Sequence, residues 1–309
     1  MTPDDHDSPL LTAGLVATGV IAVSFSGPIA ASTLAPALAI AFWRNAFGAA
    51  ASAPYTLLRQ REQLRRLREQ PRLLGTAVLA GAFLALHFGL WIPSLQLTSV
   101  TASTALVTTA PLFTVALARA RGLVVPRAVV AGVLLSLAGV VVITGVDAGS
   151  SPDALRGDLM ALGGGVAAAG YVTAGESVRR TVGTASYTLV AYTSCALVLL
   201  PVALATGVDL LHLSARSWAE IVALTLTAQL LGHTLLNRAL RAAGATTVSL
   251  AVLLEVPGAS LVAWVWLGQV PPLAILPGAA LLLCGLAVVV RASARERARD
   301  RRNTVGAAR

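Results

Sequence analysis

Charged residues are scarce in this chain of 309 residues: they make up 12% of it, whereas 56% of its residues are hydrophobic. A soluble domain needs more polar side chains than this to cover its surface. The composition therefore excludes an ordinary soluble enzyme or binding module. It indicates that lipid surrounds most of the chain.

Cysteine is almost absent, and Cys195 and Cys284 both lie inside apolar stretches. Two cysteines in such places favour neither a disulfide framework nor a metal site. The apolar stretches also contain no HExxH motif, no paired acids and no nucleophile with its base, so an intramembrane enzyme is not expected. We expect no metal and no cofactor.

Long hydrophobic runs are abundant, and each approaches the roughly 20 residues that cross a hydrocarbon core of about 30 Å. Because backbone polar groups find no water in lipid, each run should be a helix. The fold class predicted is an all-α membrane protein with ten transmembrane helices. The ten predicted spans are 10–29, 36–57, 73–93, 99–118, 126–145, 159–176, 184–206, 221–237, 246–267 and 272–290.

The positive charge follows the topology of these spans. All 23 basic residues are arginine. If the N-terminus is cytoplasmic, all but three lie on the inner side; the exceptions are Arg156 and Arg216 outside and Arg44 within a span. We therefore expect a multi-pass protein of the cell (inner) membrane with both termini cytoplasmic. The net charge of +9 needs no nucleic-acid partner, because an anionic lipid leaflet attracts such loops.

The chain contains an internal repeat. An offset of 146 residues places His87 on His233 and Pro111 on Pro257 without a gap, and it also aligns several glycines. We divide the chain into a first repeat at 1–145, a second repeat at 157–291 and an Arg-rich cytoplasmic tail at 292–309. Each repeat has five spans, an odd number, so the second enters the bilayer from the opposite face. Inverted repeats are typical of secondary transporters.

The same residues carry a family resemblance. The stretches 95–143 and 240–290, which include "TALVTTAPLFTVALARARG" and "SLAVLLEVPGASLVAWVWLG", resemble the ends of the two EamA-type repeats of the drug/metabolite transporter superfamily. "APALAIAFWRNAF", which contains Arg44, resembles that family's second helix. The resemblance implies a cavity lined by spans three, four, eight and nine.

The chain departs from the family pattern just after the fourth helix of each repeat. Family members often carry a Glu after the glycine that ends this helix, whereas Leu123 follows Gly122 and Gln269 follows Gly268 here. Glu255 matches the acidic residue that many relatives carry in the ninth helix.

Two residues that are charged at neutral pH lie deep in predicted spans. Glu255 in span nine and Arg44 in span two are costly in lipid, so both should face the interior. Glu255 either binds an amine-bearing solute, takes up a proton or bonds a neighbouring helix. Arg44 meets an anionic group of the solute or Glu255, or it binds helix-end carbonyls and holds the bundle together. Pro111 and Pro257 each remove a backbone donor and should kink their helices, which suggests a gating role.

Other polar residues recur at helical spacing. Thr225, Gln229, His233 and Asn237 follow one another every four residues and should share one face of span eight. In span three, Trp91 lies one turn after His87. Span four adds Thr108 at helical spacing, although threonine often only packs between membrane helices. The predicted substrate-binding residues are Arg44, His87, Trp91, Thr108, Gln229, His233, Asn237 and Glu255.

These patterns favour a secondary-active transporter of small metabolites or drugs that works by alternating access. Export and proton coupling are expectations from the resemblance and from Glu255. A non-transporting or lipid-handling membrane protein is the alternative, and an aligned polar stripe argues against it. The partners expected are a small-molecule substrate, the lipid bilayer and protons, and a homodimer is compatible with the sequence.

Overall fold

A computed structural model describes residues 9–120, 122, 124–236 and 251–306. These residues contain helices and connecting turns and no strand. Within this part of the chain, six helical segments are long and apolar enough to cross a membrane. They are Leu10–Ser32, Pro71–Leu97, Val100–Leu117, Arg127–Val146, Thr184–Ala205 and Ala215–Leu236. The count of ten spans stays a prediction.

Eight helices are seen in the first half of the chain, over residues 9–120, 122 and 124–150. Helix α4 is a short amphipathic element between two longer helices, with its leucines buried and its arginines exposed. The helices are α1 (Pro9–Ser24), α2 (Ser26–Ser32), α3 (Ala37–Arg59), α4 (Arg61–Glu69), α5 (Pro71–Leu97), α6 (Val100–Val107), α7 (Ala110–Ala120) and α8 (Arg127–Ser150).

In the described residues of the second half there are five helices and one π-helical segment. The π-helical segment, Thr225–Gly232, follows α11 without a break and bonds each N–H one residue farther back than an α-helix does. The helices are α9 (Pro152–Arg179), α10 (Thr184–Ala205), α11 (Ala215–Leu224), α12 (Glu255–Leu267) and α13 (Leu276–Gly306).

The two halves pack through pairs of helices that correspond under the repeat. Helix α3 packs on α10, and α8 packs on α13. Exchanging the halves maps both of these contacts onto themselves. The same exchange maps the contact of α5 with α9 onto the contact of the π-helical segment with α1, which is also present.

Glycines allow α8 and α13 to approach closely. A Cβ on Gly132 would lie 2.8 Å from the Gly285 carbonyl oxygen, and one on Gly139 would lie 2.5 Å from the Gly278 oxygen. Ser136 adds a hydrogen bond of 3.2 Å to the Leu282 carbonyl oxygen. Small residues let helix backbones meet in lipid, and these glycines allow that close packing between α8 and α13.

Gln269, one of the two residues that depart from the family pattern, caps a helix. The Gln269 side-chain oxygen accepts a hydrogen bond of 2.9 Å from the backbone N–H of Val100, the first residue of α6. That N–H has no partner within its own helix. Gln269 therefore satisfies a backbone donor at the start of α6.

Candidate functional site

A cavity of about 420 Å³ lies between the two halves. Seven of the eight predicted binding residues line it, and the eighth, Asn237, lies outside the described residues. The seven are Arg44, His87, Trp91, Thr108, Gln229, His233 and Glu255. Residues from α1, α2, α9 and α10 also line the cavity. The lining therefore includes more helices than spans three, four, eight and nine.

Arg44 connects the halves at the cavity wall. It comes from α3 and is only 2% exposed. Its Nε donates a hydrogen bond of 3.0 Å to the side-chain oxygen of Gln229 in the π-helical segment. The guanidinium carbon lies 4.1 Å from the centroid of the Phe88 ring, which is within the range of a cation–π contact. These two contacts fix the charge in place.

The polar stripe predicted for span eight divides between two roles. Gln229 and His233 line the cavity. Thr225 does not, because its hydroxyl donates a hydrogen bond of 2.8 Å to the Ile221 carbonyl oxygen within its own helix. Thr225 is therefore a packing residue.

His87 and Trp91 form one wall of the cavity on α5. The Nδ1 of His87 donates a hydrogen bond of 3.0 Å to the Gly164 carbonyl oxygen of α9. The His87 and Trp91 rings stack with centroids 5.7 Å apart. A Cβ on Gly164 would lie 3.3 Å from the Trp91 Cβ, so this glycine lets α9 approach the wall.

Both predicted kink regions contain a helix interruption. Turn residues Thr108 and Thr109 separate α6 from α7, just before Pro111. Leu253 and Leu254 form the corresponding turn, just before α12 begins at Glu255. These turns place Thr108 and Glu255 at the cavity.

Glu255 shares the cavity with Arg44. It is the only carboxylate among the described lining residues. The two groups interact electrostatically, but no ion pair joins them in the described part of the chain. The cavity thus presents a positive and a negative group separately.

Sequence reasoning missed three tyrosines and an arginine from α9 and α10. Tyr171 and Tyr187 stack with centroids 6.1 Å apart, and the Arg179 guanidinium lies 5.8 Å from the Tyr187 centroid. Tyr192 lines the cavity beside them. A signal was available, because three of the four tyrosines of the chain fall in spans six and seven.

Asp158 was also missed, because the predicted span six began after it. Helix α9 begins at Pro152, and Asp158 is buried within it. The residue lies outside the cavity lining.

The cavity reaches one end of the bundle. Arg179 and Thr184 line it there, beside the turn that joins α9 to α10. Helix α4 and the residue before it touch the same turn: Gln63 accepts a hydrogen bond from the Gly183 N–H, and Gln60 accepts one of 2.9 Å from the Ser186 hydroxyl.

Aromatic side chains pack at the opposite end. The indole N–H of Trp43 donates a hydrogen bond of 2.7 Å to the Leu210 carbonyl oxygen. The Trp43 ring meets Trp218 edge to face with centroids 5.0 Å apart, and Phe42 and Phe47 also contact Trp43. None of these four aromatic residues lines the cavity.

A model of the EamA-like transporter family matches the sequence twice, over residues 10–145 and 155–291. The chain belongs to the EamA-like transporter family. Its two family repeats nearly coincide with the repeats predicted from the offset of 146 residues. Membership, together with the apolar helices, makes this chain a multi-pass membrane protein of a transporter family.

The EamA-like fold is also seen in a solved structure. A protein of known crystal structure is similar to this chain, with a TM-score of 0.61 and 20% sequence identity, over 91% of this chain and 98% of that one. At this identity the likeness concerns the fold alone. No curated protein matches the chain.

Proposed function

We propose that this EamA-like protein is a secondary-active transporter that exports small metabolites or drugs across the cell inner membrane. The observation that carries the proposal is the cavity between the two repeats, where Arg44 and Glu255 face a space of about 420 Å³. Charged groups are costly inside a membrane unless they serve a pathway or a partner. A volume of this size falls within the range of small-molecule sites.

Alternating access follows from the repeat. Two similar halves of opposite orientation can exchange conformations and expose a central site to either side in turn. The helix contacts that map onto one another when the halves are exchanged support inverted repeats of five spans each. In this arrangement both termini are cytoplasmic, and the end of the bundle that carries α4 faces the cytoplasm.

The two ends of the cavity serve as gates in this proposal. The Trp43 and Trp218 contact closes the outer end, while the α9–α10 turn forms the inner mouth. The helix interruptions before Pro111 and Pro257 let α7 and α12 move relative to the rest of their spans. Interrupted helices at the cavity are a recurrent feature of secondary transporters.

Glu255 is the residue proposed to couple transport to protons, with His87 and His233 as further titratable groups in the same cavity. A carboxyl group facing a membrane cavity can exchange a proton for a solute. The polar lining also favours transport over a purely structural role, because a scaffold gains nothing from ionisable groups at a cavity.

Growth and flux measurements test the proposal. A strain that overexpresses the protein should be protected against at least one member of a panel of toxic metabolites and drugs. The protective compound should then cross proteoliposomes that contain the purified protein, and a proton gradient should drive it. Protein with Arg65→Gln serves as control, because Arg65 and its partner Glu62 are both exposed and lie outside the cavity lining. Absence of flux for every protective compound would contradict transport.

A further inference from the structure

Several hydrogen-bond donors at the cavity wall, including Nε2 of Gln229, have no partner within the described part of the protein. Two of them are Nη1 of Arg44 and the indole Nε1 of Trp91. Both side chains are nearly inaccessible, at 2% and 4% exposure. A buried donor without an acceptor is unfavourable, and a charged donor is more so. The pair therefore points to an acceptor that the described part of the protein does not supply.

The two donors belong to one region of the wall. Arg44 lies over the face of Phe88, and the Phe88 and Trp91 rings are in contact with centroids 6.3 Å apart. Gln229, which belongs to the other half of the chain, accepts a hydrogen bond from Nε of the guanidinium. The Nη1 donor has no partner in the described residues. All four side chains line the cavity. Their positions are thus fixed by packing before any solute arrives.

The charge balance of the cavity favours an anion at this place. Arg44 and Arg179 contribute two positive charges to the lining, and Glu255 contributes the only carboxylate among the described lining residues. Because Arg44 forms no ion pair with Glu255, its charge is not neutralised by direct contact. A cationic group docked against Arg44 would be repelled, whereas an anionic group would be attracted and hydrogen-bonded.

We propose that the solute carries a carboxylate and that this group is bound by the Arg44 guanidinium and the Trp91 indole N–H. The proposal rests on the function proposed above, since it names the chemical class of the transported solute. A carboxylate fits better than a phosphate dianion, because a single buried guanidinium supplies one positive charge. The guanidinium matches the planar carboxylate geometry. The aromatic rings of Phe88, Trp91 and Tyr192 supply surface for an apolar body.

Binding of two matched probes to the full chain in lipid nanodiscs tests the carboxylate subsite. Phenylpropanoate and phenylpropylamine share the aromatic body and differ in the sign of the charged group. We expect calorimetry to detect phenylpropanoate binding above that of empty nanodiscs. Arg44→Gln should weaken this binding at least about tenfold, because a charge-assisted hydrogen bond is lost. Trp91→Phe should weaken it by about three- to tenfold, since one neutral donor is removed.

Matched variants separate the subsite from general packing. Trp264→Phe makes the same change at a tryptophan that is 53% exposed and outside the cavity, so phenylpropanoate binding should be unchanged. If Arg44→Gln does not fold, Trp91→Phe and Arg44→Lys decide the question. The lysine variant keeps the charge but loses the two-donor geometry and should also bind more weakly.

Three outcomes would overturn the carboxylate subsite: failure of phenylpropanoate to bind, phenylpropylamine binding that matches or exceeds it, or Trp91→Phe binding like the wild type. These outcomes are distinct from failure of transport. If phenylpropanoate binds as expected while no compound is carried across proteoliposomes, the subsite is supported and the transporter proposal is contradicted. If an amine is transported and phenylpropanoate does not bind, the transporter proposal is supported and the carboxylate subsite is contradicted.

Discussion

Single residues control the cavity chemistry, and Glu255 is the one that should confer pH dependence. Glu255→Gln keeps the size and hydrogen-bonding capacity of the side chain but removes its titration. We expect the variant to insert and to carry solute in proteoliposomes, with a flux that no longer changes with pH. The control is Glu176→Gln, at an exposed residue paired with Arg180. A variant flux with the pH profile of the wild type would leave His87 and His233 as the coupling candidates.

Gly48 is a second residue with a sharp expected effect. A Cβ at this position would overlap the Gln229 side-chain nitrogen and lie 3.0 Å from the Tyr192 ring. Gly48→Ala should therefore push Gln229 away from Arg44 and reduce flux at least about tenfold, because a buried guanidinium loses its acceptor. Gly75→Ala, where a Cβ meets nothing within 4 Å, is the matched control and should transport normally. Equal flux in the two variants would show that the contact of Arg44 with Gln229 is dispensable.

Among the elements, the pair α8 and α13 depends on backbone approach. A Cβ on Gly139 would meet the Gly278 oxygen and the Leu282 nitrogen, each at 2.5 Å. Backbone atoms cannot move aside as a flexible side chain can, so Gly139→Ala should separate the helices and destabilise the protein by about 1–3 kcal/mol. Thermal unfolding in detergent should show a lower midpoint than Gly145→Ala, whose Cβ meets nothing within 4 Å. Matching midpoints would mean that the helices tolerate a wider spacing.

For the whole molecule, topology is the property that the arrangement of arginines predicts. In a background without Cys195 and Cys284, a cysteine at Ser151 should react with an impermeant maleimide added to intact cells. A cysteine at Arg66, which is exposed on α4, should react only after the inner face is opened. The physical reason is that arginine-rich loops are retained in the cytoplasm. The opposite labelling pattern would reverse the orientation and with it the assignment of the inner mouth.

The sequence by itself determined that this chain is a helical membrane protein with two related halves. Hydropathy and the offset between His87 and His233 can be read from the order of the residues alone, without any knowledge of packing. The sequence also indicated seven of the residues that line the cavity, among them Arg44 and Glu255, which are too costly in lipid to face anything but the interior. Only the tertiary structure decided which faces meet across the halves. The bond from Arg44 to Gln229 joins residues 185 positions apart, and the tyrosines of α9 and α10 line the cavity through packing that no periodicity encodes. Helical periodicity fixes which side chains share a face, but the neighbour of that face depends on how the whole bundle fills space.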